Sequence, residues 1–202
     1  MSAQPKILLS VEEYLQMEDE APYKSEYFKG EVFAMAGASP VHNRIVGNLN
    51  SIIGSHLWGK KCRFFPSDQR VFVDKYPYFT YPDLTIACNT PEYFGENKYT
   101  LTNPTAIIEV LSPSTANYDK GIKFGLFRGA LSSLQEYIMI SSFRHHVEIY
   151  YKIEGEFWGL TTDCTDLNAE ITIKSINLKI PMKDIYFDTE IENFDNVIDF
   201  RS

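Results

Sequence analysis

The chemistry this chain could perform concentrates on two apolar, β-branched stretches that each carry one carboxylate. One runs Phe79-Thr80-Tyr81-Pro82-Asp83-Leu84-Thr85-Ile86-Ala87; the other runs Pro104-Thr105-Ala106-Ile107-Ile108-Glu109-Val110-Leu111-Ser112. A lone charge in a buried strand is costly unless it is paired or bound to a metal. Either acid alone could instead sit at a strand end in water, because carboxylates are almost never fully buried unpaired. Two such acids on neighbouring strands could share a hard divalent cation such as Mg²⁺, which takes a few carboxylate oxygens and keeps several waters. Glu26, among Tyr23, Tyr27 and Phe28, could add a third oxygen directly or through water. Lys123 follows Asp119 by four residues and precedes Leu126 and Phe127, which puts it at the rim of a helix's buried face. Its stem can pack there while its ammonium reaches inward; the plainer reading is an ion pair with Asp119. A metal makes hydroxide accessible near neutral pH and clamps phosphate oxygens. A lysine beside it can orient or deprotonate water and offset charge on phosphorus. Two acids, a cation and a lysine suit phosphodiester hydrolysis.

These residues are far apart, so the fold must assemble them. Ser10-Val11-Glu12-Glu13 has the spacing of a capping box, predicting a short helix to about Met17. Lys29-Gly30 is a two-residue turn between Tyr23–Phe28 and Glu31–Ala36, predicting a hairpin that carries Glu26. Ser39-Pro40 opens a long helix. Its apolar stripe is His42, Ile45, Val46, Leu49, Ile52, Ile53, His56 and Leu57, and it should end by Gly59. His42 lies in its first turn, either as a core-edge histidine or facing a phosphate drawn to the helix N-terminus. Strands are expected over Cys62–Phe65, Gln69–Val73 and through both acidic stretches, with Pro91–Tyr99 a solvated connection. A helix over Asn117–Arg128 should turn Tyr118, Ile122 and Leu126 to the sheet. Strands then follow at 135–141, 147–153 and 157–162, with a hairpin at Gly155, and at 171–173 and 178–180 before a short helix from Pro181. The adjacent His145 and His146 point to opposite faces of a strand and read as structural. Helices interleaved with strands give a mixed α/β (α+β) class, a mixed sheet with helices packed on it and additional hairpins.

With 202 residues and 44% hydrophobic content, the chain can bury a large core without staples. Residues 1–188 are expected to form one domain, followed by an acidic tail over 189–202. The formal charge of −8 excludes a protein whose main task is to coat nucleic acid. Any nucleic-acid contact must be local or metal-assisted, through some of Lys24, Lys29, Arg44, Lys60, Lys61, Arg63 and Arg70. The three cysteines, Cys62, Cys88 and Cys164, are scattered and odd in number, which argues against a disulfide framework and suits a cytoplasmic protein. No export segment and no membrane span is expected, since no run approaches about 18 apolar residues.

Pro82-Asp83, followed by Glu109-Val110-Leu111 at a spacing of 109 − 83 = 26, is similar to the PD-(D/E)XK nuclease pattern. A longer ordered set is more specific: Ser25-Glu26-Tyr27-Phe28-Lys29-Gly30-Glu31, Ala38-Ser39-Pro40-Val41-His42, Tyr81-Pro82-Asp83-Leu84, Ile108 to Thr115, Asp119 with Lys123, and Ser133-Leu134-Gln135-Glu136-Tyr137. Together these resemble the Uma-two family of restriction endonuclease-like proteins, over roughly Leu9 to Ile185. The resemblance implies a restriction-endonuclease-like core, Mg²⁺ (or Mn²⁺) as cofactor, DNA as partner and a homodimer that cuts both strands. It implies Glu26, Asp83, Glu109 and Lys123 as catalytic residues. Asp83, Glu109 and the Val110 carbonyl become metal ligands, and His42, Gln69 and Lys120 substrate contacts. The chain departs from the superfamily pattern at Leu111, where a lysine would stand; Lys123 supplies the ammonium from the next helix, with Lys120 the runner-up. That departure leaves open a catalytically degenerate fold that binds nucleic acid or protein, and a metal-dependent hydrolase of small phosphates.

Overall fold

The structure is a computed structural model that describes residues 8–96 and 98–191. Helix α1 (Val11–Glu20) starts at Ser10, whose hydroxyl accepts from the Glu13 amide while the Glu13 carboxylate accepts from the Ser10 amide, so the capping box is complete. Strands β1 (Ser25–Phe28) and β2 (Glu31–Ala34) pair antiparallel with Glu26 opposite Phe33. The turn needs left-handed backbone at Lys29 (φ 49°) and Gly30 (φ 95°). A Cβ at Gly30 would meet the Leu8 Cβ at 3.0 Å. Gly30→Val should therefore lower stability by about 1–3 kcal/mol, read from the urea midpoint; an unchanged midpoint would show that the turn tolerates a side chain.

Helix α2 (Pro40–Leu57) follows its expected bounds, with Ser39 accepting from the His42 amide. It buries Ile45, Leu49, Ile53 and Leu57, each contributing about 1.5–3 kcal/mol of apolar burial. These side chains cover one face of a six-stranded sheet. That sheet has the order β11-β10-β9-β8-β6-β3, from β3 (Arg63–Pro66), β6 (Leu84–Ala87), β8 (Ala106–Leu111), β9 (Glu136–Ser141), β10 (Val147–Glu154) and β11 (Phe157–Cys164). β8 and β9 run parallel and the other neighbours antiparallel. A small ribbon of β12 (Glu170–Ile173) and β13 (Leu178–Pro181), with helix α5 (Met182–Ile185), completes the α2 layer.

A second mixed sheet, order β2-β1-β5-β4-β7, is built with β4 (Arg70–Val73), β5 (Tyr78–Thr80) and β7 (Thr100–Leu101). Its inner face supplies Val71, Val73 and Tyr78 to a core shared with Ile107, Leu111, Tyr137 and Met139 of the larger sheet. Its outer face packs Tyr27, Phe72 and Phe79 on Tyr14 of α1. The mixed class with flanking helices is as expected; the division into two main sheets is not. It arises because the run 79–87, expected as one strand, breaks at Tyr81-Pro82-Asp83 and passes from β5 in one sheet to β6 in the other.

The helix expected over 117–128 also differs. Helix α3 (Ala116–Tyr118) leads into a π-helical turn (Asp119–Lys123), and α4 (Phe124–Ala130) follows. One extra residue in the turn shifts the buried face: Ile122 is 62% exposed, while Asp119, Lys123, Phe124 and Phe127 are buried. Lys123 is thus not at a rim but inside. Cys62 and Cys88 form a disulfide, against the cysteine-based expectation. β3 and β6 pair with Arg63 opposite Ala87, so residues 62 and 88 are the next cross-strand neighbours, a closeness their separation of 26 conceals. Cysteine usage therefore does not point to a reducing compartment. Among the described residues no helix is long and apolar enough to cross a membrane. Of the expected acidic tail, 192–202 lie outside the described residues.

Candidate active site

Glu109 stands on β8 between Ile108 and Val110, which face the α2 layer, so with Ile107 and Leu111 it faces the other core. Lys123 descends from the π-helical turn onto it, with Nζ 2.9 Å from Glu109 Oε1, 3.3 Å from Glu26 Oε1 and 3.8 Å from Asp119 Oδ1. Leu111, at the position of the motif lysine, is packed in that same core at 1% exposure. The ammonium thus reaches the acids from the helix while the strand position keeps its apolar packing.

Asp83 ends the segment that joins the two sheets. Leu84 pairs with Ile108 and Thr85 with Ile107, so continuing the register sets Asp83 opposite Glu109. Its Oδ2 accepts from the Val110 amide at 2.7 Å and lies 3.2 Å from His42 Nε2. Glu26 is held by hydroxyls: Thr80 donates to Oε1 at 2.5 Å, Tyr78 to Oε1 at 3.3 Å and Tyr118 to Oε2 at 3.3 Å.

Four acids, one ammonium and one imidazole therefore share a largely dry region, and its titration reflects that imbalance. Burial pushes the Glu109 carboxyl well above the usual range, and the charges of Asp119 and Asp83 push the same way against the pull of Lys123. Burial raises Asp119 too. Burial disfavours the charge on Lys123, but Glu109, Glu26 and Asp119 outweigh it and hold the ammonium charged. His42 is raised because Asp83 more than offsets its burial. Tyr118 is pushed up to about 12 by burial and the charge of Glu26.

Whether these residues fit a divalent ion can be judged from their donors. Carboxylate and carbonyl oxygens are what Mg²⁺ prefers. Glu109 Oε1 is buried and accepts no hydrogen bond, because Lys123 Nζ, although 2.9 Å away, is misaligned for one. That oxygen already faces one cation, the Lys123 ammonium, and has no hydrogen-bond donor to give up to a second. As they stand, no three of the His, Cys, Asp and Glu side chains among the described residues converge closely enough to hold an ion alone. Two carboxylates with the Val110 carbonyl and waters form a smaller set of the kind Mg²⁺ accepts.

A family described as "Putative restriction endonuclease" matches residues 11–175. The chain belongs to the Uma2 family. Two curated relatives, both from Synechocystis sp. (strain ATCC 27184 / PCC 6803 / Kazusa), are called uncharacterized proteins sll1609 and slr1290. The first is 38% identical over 164 residues, covering 81% of this chain and 92% of the relative. The second is 34% identical over 179 residues, covering 88% and 91%. A crystal structure from Anabaena variabilis ATCC 29413, described as a putative nuclease belonging to DUF820, superposes with a TM-score of 0.68 at 19% identity. It covers 88% of this chain and 97% of its own, so this Uma2 chain shares that fold.

Not every residue expected at the Uma2 site lies there. Glu26, Asp83, Glu109, Val110, His42 and Lys123 come together. Gln69 donates its amide to the carbonyls of Arg70 and Tyr99 at the β4–β7 edge, and Lys120 pairs with Glu148 on β10. Arg70, expected in a basic groove, is 2% exposed and donates to Thr100 Oγ1, with its guanidinium over the Tyr14 ring. Lys24 pairs with Asp68 and Arg44 with Asp188. Thr80, Tyr78 and Tyr118 were not expected at the site. A glutamate in a half-buried strand requires donors, and that requirement was the one available signal.

Proposed function

We propose that this chain is a divalent-metal-dependent nuclease that hydrolyses phosphodiester bonds in DNA, acting as a homodimer when both strands are cut. The observation that carries the reading is the Lys123 ammonium, buried among Glu26, Glu109 and Asp119 and one strand from Asp83. The PD-(D/E)XK chemistry needs such a cation beside two acids, and here it arrives by the π-helical turn. Asp83, Glu109 and the Val110 carbonyl would hold the ion, Mg²⁺ or Mn²⁺ in its place. When bound, the ion supplies an acidified water and a clamp on phosphate oxygens.

The remaining work falls to the chain. Because its surroundings hold Lys123 charged, it stabilises negative charge building on phosphate oxygens and orients the attacking water, instead of removing the proton. Glu26, fixed by three hydroxyls, keeps that ammonium in place. His42 holds Asp83 against the Val110 amide.

A second reading, a fold that binds nucleic acid or protein without cutting, is favoured by Leu111 in the motif position and by the formal charge of −8. Supercoiled plasmid with Mg²⁺ or Mn²⁺ and an EDTA control separates the two. Wild type should nick, and Asp83→Asn should lose at least about 100-fold, the scale of removing a group that positions the reaction. Equal nicking by the variant would assign the activity to a contaminant. Absent nicking with calorimetric Mn²⁺ binding would favour the second reading.

A further inference from the structure

The π-helical turn carries two lysines, and the proposed chemistry uses one. The other, Lys120, is half-buried and pairs with Glu148, whose side chain is 14% exposed. The register across the sheet explains the arrangement. Glu109 on β8 lies opposite Met139 on β9, Met139 opposite Glu148 on β10, and Glu148 opposite Asp163 on β11. One row across the sheet therefore reads Glu109, Met139, Glu148, Asp163. Met139 packs in the core under α4, so the row lies on the face that the π-helical turn covers. The two carboxylates beneath the turn are two strands apart, about 10 Å. Lys123 and Lys120 fall on them respectively, with Met139 between.

Other contacts fit a built anchor. Tyr137 on β9 donates its hydroxyl to the Asp119 carbonyl at 3.2 Å, a carbonyl that also accepts from the Phe124 amide at the end of the turn. His146, immediately before β10, has Nδ1 3.9 Å from Glu148 and Nε2 2.7 Å from Asp163. The carboxylates of Glu148 and Asp163, directly opposite one another, would repel; His146 and Lys120 stand between and beside them. Glu148 thus has Lys120 on one side and His146 on the other, and the pair with Lys120 is the close one.

We propose that Glu148 is a positioning residue that, through Lys120, sets where the π-helical turn sits above the sheet and so where the Lys123 ammonium meets Glu109. The role of Lys123 in cleavage rests on the nuclease reading above; the anchoring itself does not. It also reassigns Lys120 from substrate contact to anchor.

Two readouts test it on the full chain with Glu148→Gln, Lys120→Met and the double variant. The first is hydrogen exchange, which needs no activity. Amides of residues 119–124 should exchange at least about tenfold faster in Glu148→Gln, the factor an ionic hydrogen bond corresponds to, while β8 and β9 amides keep wild-type rates. The second is plasmid nicking. Both single variants should lower kcat by about 10- to 100-fold with KM for DNA unchanged. The double variant should be no worse than either single one, as for two halves of one contact, and Glu148→Asp should recover part of the rate. Unchanged exchange over 119–124 would overturn the proposal whether or not wild type cuts. So would a raised KM in Lys120→Met with Glu148→Gln at full rate, which would make Lys120 a substrate contact. If wild type does not nick at all, the nuclease reading fails alone and exchange still decides the anchor.

Discussion

Lys123→Met should abolish nicking and destabilise the fold by about 3–5 kcal/mol near neutral pH, the cost of leaving buried charge without its partner. The Lys123 side chain is 6% exposed and its ammonium is the cation nearest Glu26, Glu109 and Asp119. Methionine matches its length and would pack, so the loss isolates the charge. The sign of the pH effect follows. Without the ammonium the acids must take up protons, so the variant should recover toward wild-type stability as pH falls from 8 to 5. Melting curves at the two pH values in EDTA measure this. A variant that melts like wild type at both would show that the ammonium does not balance the acids.

Glu109→Gln should also abolish nicking, yet raise stability in EDTA above wild type at pH 8. Glu109 is the most buried of the acids, and burial pushes its carboxyl up. A group with a raised folded-state pKa gives stability that is fully present below its unfolded value, about 4.3. That stability is lost as pH rises through the raised value. Asp119 and His42 are raised as well and act in the same direction. Metal-free wild type should therefore lose stability from pH 5 to pH 8. The neutral amide removes the largest part of that slope, while Lys123 keeps Glu26 and Asp119 as partners. The same substitution removes a proposed ligand, so a protein that is more stable and inactive is the expected pairing. A lower melting temperature than wild type at pH 8 would mean that the Glu109–Lys123 attraction outweighs the crowding of acids.

Features decided within a few residues were legible in the sequence. Ser10 with Glu13, Ser39-Pro40 and Lys29-Gly30 fix a cap, a helix start and a turn through local hydrogen bonds and backbone preference. The even apolarity of 106–111 signalled a strand buried on both faces, and the six acids and bases later found together were among those singled out. What escaped depends on distant partners. The run 79–87 is mostly apolar and β-branched and reads as one strand; Pro82 is the one local sign of a break, and the positions of the two sheets show that residues 81–83 bridge them. The stripe Tyr118, Ile122, Leu126 satisfies an α-helical period, so nothing local announces the extra residue of the π-helical turn. Its partners are at a distance: the Tyr137 hydroxyl donates to the Asp119 carbonyl, and Glu109 and Glu148 pair with the two lysines. Cys62–Cys88 and the buried Arg70 were hidden for the same reason.

The bridging segment has a mechanical consequence. Glu26 belongs to one sheet, Glu109 to the other, and Asp83 to the strip of backbone between. The Lys123 ammonium, 3.3 Å from Glu26 and 2.9 Å from Glu109, already sutures that seam, and a further positive ion lodged there would draw the two layers tighter. Occupancy would then be felt far from the chemistry, as a stiffening of how one slab of the molecule rides on its neighbour.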